Sequence, residues 1–113
     1  MLNREKIAQE YLNVVSKSYP EAGKLLSHCL IKTLKLNGVK NRYSYYLGIF
    51  YPESIGDYLL EHQPVIKEVA EYMGLIEVVF FNANDLMRRP DSRIKEQNFR
   101  FWLELSWIIN EFN

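Results

Sequence analysis

The residues best placed for chemistry are His62, its neighbour Glu61, and Tyr58 one helical turn before them. An imidazole beside a carboxylate is the elementary unit of acid–base catalysis, and a phenol within one turn could share the proton. Catalysis also needs a nucleophile or a second acid–base group in register, and the flanking sequence supplies none. His28 and Cys29 are adjacent, so on a helix their side chains diverge by about 100° and cannot form a nucleophile–base pair. The paired acids Asp57 and Glu61 share a helix face, but a solvated charged surface explains them. Catalytic residues are therefore not assigned, and the chain reads as a binding protein rather than an enzyme.

Metal and phosphate chemistry fare no better. Two His and one Cys form no His-Glu-x-x-His, Glu-x-x-His or Cys-x-x-Cys pattern, so no metal site is expected. The five glycines (Gly23, Gly38, Gly48, Gly56, Gly74) are scattered and build neither a P-loop nor a dinucleotide fingerprint, so no cofactor is expected.

Charge is more informative. The formal net charge is zero, but residues 1–42 carry +5, residues 43–85 carry −6, and the remainder carries +1. Segregated charge produces a field that orients a partner during encounter. Six of the aromatic residues fall between Tyr43 and Tyr58, where the sign changes. Tyrosine supplies large, amphipathic contact area at interfaces, and acids beside it steer a basic partner. The expected function is a small protein-binding module acting stoichiometrically, of inhibitor, immunity or adaptor type, through an acidic, tyrosine-rich surface. The expected contacts are Tyr45, Tyr46, Tyr51, Asp57, Tyr58 and Glu61, and the expected partner is a protein with a basic surface. The alternative is a helical nucleic-acid-binding regulator using Lys24, Lys32 and Lys35, with Lys40 and Arg42 close behind.

At 113 residues, 48% hydrophobic and 25% charged, the chain suits one globular domain spanning 1–113. Its start, MLNREKIAQE, lacks the apolar run of a secretory signal, and no stretch approaches the roughly 20 apolar residues of a membrane span. A cytoplasmic protein that engages no membrane is expected.

The elements that must position these residues read mainly as helices. Asn3 caps a first helix to Ser18, with Ile7, Tyr11, Leu12, Val14 and Val15 at helical spacings. Pro20 opens a second, whose stripe Ala22, Leu25, Leu26, Cys29, Leu30 and Thr33 predicts a helix up to Asn37-Gly38. That helix would gather Lys24, His28, Lys32 and Lys35 on its opposite face. Helical stripes recur on either side of the break at Pro64, the second ending at Gly74, and a last helix is expected from Asp91-Ser92 to about Glu111. Two segments are ambiguous: Tyr43–Tyr51 and Leu75–Phe81 are short apolar runs rich in strand-forming residues. The favoured fold is a mainly α, compact bundle of about five helices. The alternative is α+β, with a small sheet from residues 43–50 and 75–82.

Overall fold

Strands form within both ambiguous segments, and they pair. In the computed structural model, which describes residues 3–36, 44–89 and 92–111, β1 (Leu30–Leu36), β2 (Ser44–Tyr51) and β3 (Val78–Asn82) form one sheet in the order β1-β2-β3. The fold is thus mainly α with a small sheet, which corrects the expected all-helical bundle in favour of the α+β alternative. β1 and β2 are antiparallel, with Leu30 opposite Phe50 and Leu34 opposite Tyr46. β2 and β3 are parallel, with Leu47 opposite Val78 and Tyr51 opposite Asn82. A parallel pair needs a crossover. Here it comprises a short 3-10 turn (Glu53–Ile55), α3 (Gly56–Glu61) and α4 (Gln63–Tyr72).

The remaining helices are α1 (Arg4–Ser18), α2 (Pro20–Leu26), α5 (Ala83–Arg88), α6 (Ile94–Gln97) and α7 (Phe99–Glu111). The Asn3 side chain accepts from the backbone N–H groups of Glu5 and Lys6, and Pro20 sits in the first turn of α2, both as their positions require. His62 separates α3 from α4, with Pro64 in the first turn of the latter. Gly74, at φ +80°, follows α4 in the left-handed conformation that favours glycine. The proposed closure at Asn37-Gly38, together with Lys40, Arg42, Tyr43 and Asp91, lies outside the described residues.

The long second helix is not formed. It stops at Leu26, and Leu30–Leu36 joins the sheet instead. Leu30, Lys32 and Leu34 then point to one face, while Ile31, Thr33 and Lys35 point to the other. The helical stripe was only locally consistent. Pairing with the apolar β2 buries Thr33 and half-buries Leu30, Ile31 and Leu34, which a lone amphipathic helix would have achieved only on one side.

Alternation in β2 divides the core in two. Leu47 and Ile49 join Tyr11 and Val15 of α1, Leu26 of α2, Leu59 of α3, Ile66 of α4 and Val78 of β3 on one face. Phe50 joins Ala83 of α5 and Leu105 and Ile108 of α7 on the other. The Phe50 ring stacks on Phe81 at 4.8 Å and meets the edge of Phe101 at 5.0 Å. These rings close over Gly48, where an added Cβ would lie 3.0 Å from Leu34 Cδ1 and 3.3 Å from the Phe81 ring.

The last helix is also divided. Asn98 turns away from helical geometry at φ −148°, ψ 83°, and its side chain accepts from Phe101 N–H at 3.1 Å, capping α7. No helix among the described residues is long and apolar enough to cross a membrane.

Candidate partner-binding surface

Parallel pairing brings the C-terminal ends of β2 and β3 side by side, and the acids gather there. Tyr51 ends β2 and Asn82 ends β3. After Tyr51 the buried Pro52 turns the chain into the 3-10 turn, and the Glu53 N–H donates to Asn84 Oδ1 at 2.9 Å. Asn82 accepts from Asp85 N–H at 3.1 Å and so caps α5. α5 in turn aims Arg88 back at the turn: its guanidinium forks onto both Glu53 oxygens, at 3.1 and 2.9 Å, and also bonds Asp85. These hydrogen bonds hold the Glu53 carboxyl below the usual carboxylate range and raise the already high pKa of Arg88.

Tyr51 lies inside this arrangement. Burial, then the negative field of Asp85, Glu53 and Asp57, pushes its phenol pKa up. The ring lies against Gly56, where a Cβ would come within 3.0 Å of Tyr51 Cε2. The first turn of α3 is thereby pressed onto Tyr51. Asp57, Tyr58 and Glu61 are exposed around that helix while Leu59 anchors it in the core. Tyr58 is 63% exposed, between the two acids in sequence.

Three of the six expected contact residues, Asp57, Tyr58 and Glu61, therefore share α3, and Tyr51 lies against the first turn of that helix. Tyr45 and Tyr46 do not join them. They lie six and five residues back along β2 from Tyr51, roughly 17–20 Å away, and alternate to opposite faces. Tyr45 has the Arg4 guanidinium 5.8 Å from its ring centroid. Tyr46 lines a separate cleft with Ile76, Glu77, Val79 and Phe81. Sequence reasoning did not single out Glu53 and Asp85, and it read Arg88, with Arg89 and Arg93, only as an extension of the basic face. The Asp85/Arg88 spacing was visible as an i, i+3 pair, but Glu53 reaches them only through the pairing of β2 with β3.

The expected basic face is dispersed by the loss of the long helix. Lys24 is exposed on α2. Lys32 lies under α7, its Nζ 3.2 Å from Glu104 and 5.6 Å from the Phe101 ring centroid. Lys35, three residues along the strand, belongs to the opposite face. His62 is half-buried at the α3–α4 junction, where its backbone accepts from Ile66 N–H. Cys29 is half-buried and donates to the Leu25 carbonyl. Among the described residues no group of three His, Cys, Asp or Glu could hold a metal ion.

No family model, curated protein or solved structure matches the chain.

Proposed function

We propose that the protein is a stoichiometric binding module of the cytoplasm, of inhibitor, immunity or adaptor type, whose partner is a protein with a basic surface. The observation that carries this reading is Tyr58, 63% exposed on a short helix whose other solvent-facing residues include Asp57 and Glu61. An exposed aromatic on an acidic helix combines a contact anchor with a field that draws in Lys and Arg. The turn that leads into α3 is tied to α5 by the Glu53–Arg88 ion pair, which limits the order that must be gained on binding. Nucleic acid is the weaker alternative, because Lys32 already faces Glu104 and Lys24 belongs to a different element.

The test is affinity capture from the native source with the wild-type chain, a Tyr58→Ala variant, and an Asp57→Lys, Glu61→Lys double variant. The expected result is a protein retained in equimolar amount by the wild type, released by salt, and lost from both variants. Retention of the same protein by the double variant with unchanged salt dependence would overturn the assignment.

A further inference from the structure

α7 is apolar on two sides. Its inner side, Phe101, Leu105, Ile108 and Ile109, packs against the sheet. Its outer side carries Phe99, Leu103 and Trp107 at intervals of four residues, and these are 54, 48 and 73% exposed. A helix apolar all round is ordinarily buried all round, whereas a surface helix shows one apolar stripe. Charge on α7 is confined to Arg100, Glu104 and Glu111, which fall along one flank of this outer stripe.

We propose that the outer face of α7 is a homodimer seam, covered by α7 of a second copy running antiparallel about a two-fold axis at Leu103. Three features favour a second copy over a foreign helix. The stripe is its own complement when reversed: Leu103 meets Leu103, and Phe99 meets Trp107. In an antiparallel two-fold pair each flank meets the same flank of the other copy. The antiparallel arrangement then sets Arg100 beside Glu104 of its partner helix. Beside Trp107 there is also a cleft of about 360 Å³, lined by Cys29, Leu30, Leu103 and Ile108 among others, into which the opposing Phe99 can seat. Phe99 is held for this by stacking on Trp102, 5.7 Å between centroids, with Lys95 4.7 Å from the Trp102 centroid.

The three apolar side chains offer on the order of 400 Å² per copy. That is about half of the roughly 800 Å² that each partner buries in a standard interface. With Arg100, Ser106 and Asn110 at the rim, the seam is small and the dimer it gives is weak and concentration-dependent. It lies on a different element from the α3 surface and does not depend on the function proposed for that surface.

The experiment is sedimentation equilibrium of the full chain from about one to several hundred micromolar. The expected wild-type mass rises from 13.5 kDa toward twice that value, with a blue shift of tryptophan emission as Trp107 becomes covered. Leu103→Asp holds the chain monomeric. Arg100→Glu weakens the dimer about tenfold. Should Leu103→Asp fail to fold, Leu103→Cys decides the matter: on the two-fold axis it oxidises to a covalent dimer that the wild type, with Cys29 alone, does not form. A wild type that stays monomeric, a dimer indifferent to Leu103→Asp, or a Leu103→Cys chain that does not cross-link would each overturn the seam.

Discussion

Cys29 and Tyr11 show how burial alone sets the chemistry of a side chain. Burial pushes the Cys29 thiol up to about 12 from 9.0, and raises the Tyr11 phenol above its usual 10.0. Tyr11 is fully buried and donates to the Ile66 carbonyl at 2.7 Å, so its proton is held by a hydrogen bond as well as by the apolar surroundings. Both groups keep their protons in the folded state at a pH where the unfolded chain has lost them. Stability from this source is therefore fully present below pH 9 and declines as pH rises through 9 and 10 toward the folded values. Each group steepens the decline by up to about 1.4 kcal/mol per pH unit. Urea midpoints measured from pH 7.5 to 10.5 should be flat and then fall, and Cys29→Ala should flatten the first part of the fall. A wild-type midpoint unchanged up to pH 10.5 would contradict the burial of both groups. The same raised value keeps the thiolate scarce, so Cys29 should react with a disulfide reagent at pH 8 far more slowly than an unfolded control.

Gly23 determines how closely α1 and α2 approach. A Cβ there would come within 2.5 Å of the Ser16 Cα, a contact with backbone that no rotamer can relieve. Gly23→Ala should force the helices apart at the Tyr19 corner and cost about 1–3 kcal/mol in urea unfolding, despite alanine's better helix propensity. A stabilised Gly23→Ala variant would show the approach to be looser than described. Elements with local punctuation were legible in the sequence: the Asn3 cap, Pro20, the break before Pro64, and the stop at Gly74. Those decided by distant pairing were not. Ala22–Thr33 fits a helical stripe, yet Leu30–Leu36 is taken by β2, because cross-strand burial against Leu47 and Phe50 is a long-range term that periodicity does not contain. The strand propensity of Tyr43–Tyr51 and Leu75–Phe81 was visible, but whether the two segments paired was not. The grouping of the expected contact residues followed the same rule. Asp57, Tyr58 and Glu61 were legible because they share one helix, whereas Glu53 and Arg88 meet only across the parallel strands.

At the scale of the molecule, one strand ties two cores together. β2 sends Leu47 and Ile49 into the core with α1 to α4, and Phe50, from the residue next to Ile49, into the core with α5 and α7. Neither core can lose its share of β2 without moving the backbone that holds the other. The sheet also separates them, since side chains on its two faces do not touch. Coupling through the backbone predicts a single unfolding transition, and separation of the side chains predicts additive mutations. Ile66→Val trims the first core and Ile108→Val the second, each by one methyl group from a buried residue. Each should cost about 1 kcal/mol. The double variant should lose the sum to within about 0.5 kcal/mol, because the two sites share no partner. Urea unfolding followed by tyrosine and tryptophan fluorescence and by circular dichroism should give one coincident transition with an unchanged slope in all four proteins. Two transitions, with Ile108→Val moving only the tryptophan signal of α7, would mean that Phe50 does not bind the two layers into one cooperative unit.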